Sequence, residues 1–90
     1  MRTASYTSQF KRDVKRIEKR GKELRKLREV INLLLTDQPL PRELGDHPLK
    51  GGWQPSRDLH LEADWILIYY LDGDSVRFER TGTHADLFHN

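Results

Sequence analysis

Three histidines carry most of the chemical interest of this chain: His47 in DHPL, His60 in DLHLE and His84 in GTHA. Beside them in sequence stand Asp64 in ADW, Arg80 in FERTG and Phe88 in DLF. An unperturbed imidazole titrates near pH ~6.5, so it can take or give a proton at neutral pH. Arginine stays protonated and can hold two phosphate oxygens at once. An aromatic ring offers a nucleobase a surface to stack on, and Trp53 and Trp65 are further candidates for that role beside Phe88. These are the parts that metal-free cleavage of RNA requires. A base takes the proton from the 2′-OH, an acid protonates the departing 5′-oxygen, and a cation steadies the crowded phosphate.

Each residue also has a plainer reading. His47 precedes a proline in a loop, which is common for a surface histidine. His60 sits on an otherwise polar strand face, and His84 could merely cap the chain end. Asp64 could be a turn residue, since aspartate hydrogen-bonds readily to nearby backbone. His89 falls in the last two residues, where chains fray. Trp65 opens the apolar run WILIYYL and reads as core before it reads as a platform. A zinc site is not expected. The intervals between histidines are long apart from His84–His89, there is no cysteine, and no HExxH occurs.

The elements that must position these groups are legible from periodicity. Arg2 to Tyr6 predicts an edge strand. Phe10, Val14 and Ile17 recur at helical spacing after Thr7 or Ser8, with Lys11, Arg12, Lys15, Arg16, Lys19 and Arg20 spread over the opposite half of the wheel. Gly21 ends that helix. A second helix is expected over about residues 22–36, on the stripe Leu24, Leu27, Ile31 and Leu34, and Pro39 and Pro41 stop it. A long Pro/Gly-rich connection follows, with one brief strand near Leu49. Then come three strands. Arg57 to Glu62 alternates, with Leu59 and Leu61 on one face and Asp58, His60 and Glu62 on the other. Trp65 to Leu71 is continuously apolar, and Ser75 to Thr81 alternates again beyond the turn signal LDGD.

The prediction is an α+β fold, with an N-terminal helical hairpin packed on one face of a small, mainly antiparallel sheet. The other face is expected to have no cover, leaving His60 there with the loops that hold His47, Asp64 and His84. Strict alternation puts Arg80 with Val76 and Phe78, on the opposite face from His60 if those two point at the helices. A bulge near Glu79 or a strong terminal twist would re-aim it.

Composition sets the outer bounds. A chain of 90 residues reads as one domain with a modest core. The lack of cysteine and of any membrane-length apolar run is consistent with a cytoplasmic protein and no membrane. Net charge is only +2, but the basic residues gather in the first 36 positions and the acidic ones beyond. Such a basic front half suits a polyanion, an acidic protein partner, or simply a solvated helix face.

At DHPLKGGW, RDLHLEADWILIY and RFERTGTHADLF the chain resembles the YafQ branch of the RelE/ParE toxin superfamily, along its whole length. The resemblance implies the RelE-like, compact RNase-like α+β fold. It implies a type II toxin that cuts mRNA in the A site of the 70S ribosome, without metal or cofactor, and so inhibits translation. It implies a cognate DinJ-like antitoxin with a ribbon-helix-helix DNA-binding domain, through which alone operator DNA is reached. On this likeness His47, His60, Asp64, Arg80, His84 and Phe88 occupy the active-site positions. Arg80 is expected to hold the scissile phosphate and His84 to be the general acid. His60, supported by Asp64, is expected to be the base, with His47 assisting and Phe88 positioning a nucleotide. Lys11, Arg12, Lys15, Arg16 and Lys19 would meet ribosomal RNA phosphates. A ParE-like or purely regulatory binding module is the competing expectation, and it needs no histidine cluster.

Overall fold

The computed structural model describes residues 1–88, so His89 lies outside the described residues. Strand β1 (Thr3–Tyr6) leads into helix α1 (Ser8–Lys19), then helix α2 (Leu24–Leu35). Thr7 caps α1, its hydroxyl accepting from the Phe10 amide at 2.9 Å. Gly21 follows at φ 89°, the left-handed turn that separates the helices. The long connection contains two single-turn 3₁₀ segments, Arg42–Leu44 and Gly51–Trp53, and between them the two-residue strand β2 (His47–Pro48). This brief strand lies slightly before the expected position near Leu49. Strands β3 (Arg57–Glu62), β4 (Trp65–Asp72) and β5 (Ser75–Gly82) form the antiparallel meander, and a short helix α3 (His84–Leu87) closes the described chain.

The sheet order is β1-β5-β4-β3-β2, antiparallel except where β1 runs parallel to β5. The helical hairpin covers one face. Phe10 and Ile17 of α1 and Leu27, Val30 and Leu34 of α2 pack with Leu59, Trp65, Leu67, Tyr69, Val76 and Phe78. Fully burying each such side chain stabilises by about 1.5–3 kcal/mol, so this layer dominates the energetics. Asp13 takes a buried place on the inner side of α1, while Val14 is only half-buried.

The opposite face is not bare, which corrects the sequence expectation. Ile66 and Ile68 are buried there under Leu87, with Leu49, Trp53 and Phe88 packed around them. The cause is visible in β4 itself. A central strand that is apolar on both faces cannot leave one of them in water, so the loop before β3 and helix α3 fold down on it.

A bulge occurs near Glu79, as the sequence allowed. In the β4–β5 ladder the register passes from Ile68↔Arg80 to Tyr69↔Phe78, leaving Glu79 as the extra residue. Cross-strand partners share a face. Arg80 therefore lies level with Ile68, off the Val76 and Phe78 face, and one row from the pair Ile66↔Gly82.

Candidate active site

Three imidazoles form a continuous row on the second face. The His47 and His60 ring centroids are 6.5 Å apart, those of His60 and His84 are 5.6 Å apart, and His84 and Phe88 follow at 6.2 Å. Trp53 meets Phe88 edge-on at 5.7 Å. Each member reaches the row by a different local device.

His47 arrives on β2, opposite Asp58 of β3. Its Nδ1 is 2.8 Å from the Gly45 carbonyl, which can only accept, so that nitrogen carries the proton. Its Nε2 is 3.0 Å from Asp58 Oδ1. The preceding Asp46 anchors the loop, accepting from Arg57 Nη2 at 2.8 Å and from the Tyr69 hydroxyl. Burial, and then this bond to a carboxylate, push the Tyr69 phenol well above its ordinary value. His60 is two residues beyond Asp58 on the same strand, so period-two alternation sets both on one face.

His84 is the first residue of α3, and Thr-Gly-Thr makes that helix start possible. The Thr83 hydroxyl accepts from the Asp86 amide at 3.1 Å, and the Asp86 carboxylate accepts from the Thr83 amide at 3.0 Å, a reciprocal cap. Arg20 grips the same carboxylate at 2.7 Å. That guanidinium, aided by the Thr83 amide and hydroxyl, holds the Asp86 carboxyl well below the usual carboxylate range. A Cβ on residue 82 would lie 2.9 Å from Asp86 Oδ2, so a larger residue there would push the Asp86 carboxylate out of its place in the cap.

Asp64 was expected behind His60, and it stands instead behind His84. Its Oδ1 accepts from the His84 amide at 2.9 Å and from His84 Nδ1 at 2.7 Å. The backbone bond first, then the ring, hold the Asp64 carboxyl below its ordinary value. The reason is positional. Asp64 lies in the tight β3–β4 turn, which ends beside the start of α3 and not beside the middle of β3. With Nδ1 held, the ring presents Nε2 outward.

Arg80 is mostly buried and tied to the helix layer, with no hydrogen bond to the three imidazoles among the described residues. Its guanidinium reaches Asp13 of α1, with Nε donating to Oδ2 at 2.7 Å and Nη2 to Oδ1 at 3.2 Å, and 21% of the side chain stays exposed. Asp13 also accepts from the Thr81 amide at 3.1 Å, from Arg16 at 2.8 Å and from Gln9 at 3.1 Å. Among the described residues Arg80 Nη1 makes no hydrogen bond, and it remains available to an anion. Trp65 is core, buried to 1% exposure with its indole N–H on Thr81, and drops out as a stacking platform.

Arg12, Lys15, Arg16, Lys19 and Arg20 of α1 line one recess, and Lys11 is exposed on the same helix. Sequence reasoning missed three residues: Asp13, Asp46 and Asp58. Alternation had already set Asp58 on the His60 face, and that was the only available signal. Nothing in the residue string marks a carboxylate as buried.

The site is thus a row of imidazoles with carboxylates against two of them, and a guanidinium tethered on the same small sheet. The comparisons place the chain in a family. Residues 2–89 match the family described as the bacterial toxin of type II toxin-antitoxin systems, YafQ, and the chain belongs to that family. It is 50% identical to the mRNA interferase toxin YafQ of Escherichia coli strain K12, covering 97% of this chain and 96% of that one. The crystal structure of the E. coli DinJ-YafQ complex matches with a TM-score of 0.91 at 49% identity, covering 98% of this chain and 99% of that one. A metal-bound toxin from Helicobacter pylori matches with a TM-score of 0.91 at 37% identity, covering 98% of this chain and all of that one.

Proposed function

We propose that this protein is an mRNA interferase: the toxin of a type II pair, cutting ribosome-bound mRNA in the cytoplasm by metal-independent acid–base chemistry. The row of three imidazoles at 6.5 and 5.6 Å carries the reading. The name of the half-identical E. coli relative supports it.

In this reading His60, with His47 beside it, takes the 2′-OH proton. The 2′-oxygen then bonds to phosphorus while the P–O5′ bond breaks. His84 delivers a proton to the leaving oxygen, leaving a 2′,3′-cyclic phosphate and a 5′-hydroxyl. Arg80 offers its uncommitted N–H groups to the phosphate oxygens, and Phe88 carries a base by stacking. Lys11, Arg12, Lys15, Arg16 and Lys19 dock on ribosomal RNA phosphates. The partner is an antitoxin of the DinJ kind, which brings a ribbon-helix-helix domain to operator DNA.

Among the described residues no group of three acidic or imidazole side chains is set to hold an ion. Metal independence is part of the proposal, and its test is cleavage undiminished when toxin stripped with EDTA and freed of chelator is returned to magnesium-stabilised ribosomes.

The deciding experiment maps transcript ends after expression of the wild type and of His84→Ala. Ribosome-dependent cleavage is expected with the wild type, falling by about 10²–10⁴-fold in the variant. Equal toxicity of the two with intact mRNA would overturn the reading in favour of a module that acts by binding alone.

A further inference from the structure

Asp58 is only 4% exposed, yet its Oδ1 makes no hydrogen bond among the described residues. Buried carboxylates are normally bonded, because burial strips away their water. This one instead faces the histidine row. Its Oδ1 is 3.0 Å from His47 Nε2, a close contact whose alignment falls short of a hydrogen bond. His47 is its cross-strand partner, and His60 shares its strand face two residues on. The other charged groups that act on it are His84 from α3 and Asp46 from the loop before β2.

Resting on the acid–base reading above, we infer that Asp58 is a positioning residue: the buried anion that fixes the His47 ring beneath the substrate linkage. His47 then sits between the Gly45 carbonyl, which accepts from Nδ1, and the Asp58 carboxylate, which attracts Nε2 when the ring is doubly protonated. The ring cannot turn without abandoning one of them. Burial also raises the Asp58 carboxyl above the usual carboxylate range, with the imidazoles of His47, His60 and His84 pulling it partly back. Acidification therefore removes this anion at a higher pH than it would a surface aspartate. The acid limb of cleavage should contain that event.

The test uses purified full-length toxin on programmed ribosomes, with wild type, Asp58→Asn and His84→Ala compared across pH. Asp58→Asn should cut about 10–100-fold more slowly in single turnover, the size typical when a partner orienting a functional histidine is lost. Substrate half-saturation should move little, and the acid limb should lose the Asp58 step. If Asp58→Asn matches the wild type in rate and pH profile while His84→Ala is silent, this inference fails and the acid–base reading survives. If His84→Ala cleaves normally, the acid–base reading itself fails. A lower melting temperature with unchanged rate and profile would show a merely structural role and overturn the inference. Should Asp58→Asn not fold, the wild type decides: the His47 ring resonances must shift as Asp58 titrates, and rings blind to that step refute the coupling.

Discussion

Replacing Asp13 with alanine should undo the join between α1 and the β5 edge, and its cost can be built up from the contacts. Asp13 is fully buried and takes donors from Gln9, Arg16, Arg80 and the Thr81 amide. Removing it orphans the buried Thr81 N–H, worth about 1–3 kcal/mol. It also strips the Arg80 guanidinium of its anion, and breaking a buried pair from one side costs about 3–5 kcal/mol. Arg80 and Arg16 keep 21% and 39% exposure, so water recovers part of that second cost. A net loss of about 3 kcal/mol is expected. For a domain of this size each kcal/mol moves Tm by roughly 4–8 °C, so the midpoint should fall by roughly 12–24 °C. Urea and thermal unfolding, run in a His84→Ala background so that the host tolerates expression, would measure it. A loss below about 1 kcal/mol would put the pair in the range of surface ion pairs and refute the reasoning. At temperatures where an otherwise wild-type Asp13→Ala remains folded, cleavage should still drop, because Arg80 has lost its aim.

Three further outcomes follow from the same contacts. Gly82→Ala drives a methyl against the Asp86 carboxylate, so the α3 cap should loosen, with cleavage reduced and the α3 amides exchanging faster; unchanged exchange would contradict the close approach. Asp86 has its folded pKa depressed, so its stabilisation is present above the unfolded value of about 4 and is lost as pH falls through the lower folded value. Asp86→Asn should accordingly flatten the acid side of the stability curve. Ribosome binding should weaken steeply as salt rises, and the paired change Lys15→Glu and Lys19→Glu should flatten that slope; a salt-independent wild type would exclude docking through α1.

The layers of the fold were legible because periodicity is a surface-energy signal. Phe10 and Ile17, or Leu27 and Leu34, repeat at the spacing that makes one helix stripe, and the core is built from them. The cover over Ile66 and Ile68 obeys the same rule, because a strand that is apolar on both faces demands two partners, but its pieces come from a loop and a short helix that carry no periodic signal. Asp64 shows the opposite case. Its pairing with His84 joins positions twenty residues apart across a turn and a helix start, and no local pattern encodes that meeting. Arg80 lay between the two. Strict alternation puts it on the Val76 and Phe78 face, and the bulge expected near Glu79 moves it to the Ile68 face.

The carboxylates also separate the histidines by task, which leads to a last expectation. His84 has Nδ1 on Asp64, and His47 has Nδ1 on the Gly45 carbonyl with Nε2 against Asp58. Both rings are already engaged. Among the described residues His60 makes no side-chain hydrogen bond, though it stands between the other two. A general base must offer a lone pair that no neighbour occupies, so His60 should carry that step more than His47. His60→Ala is then expected to lower single-turnover cleavage by about 10²–10⁴-fold, and His47→Ala by less. The two can be compared at saturating ribosome–mRNA complex, where binding differences vanish. A larger loss from His47→Ala would reverse the assignment, and it would mean that His47 gives up its contact with Asp58 when RNA enters.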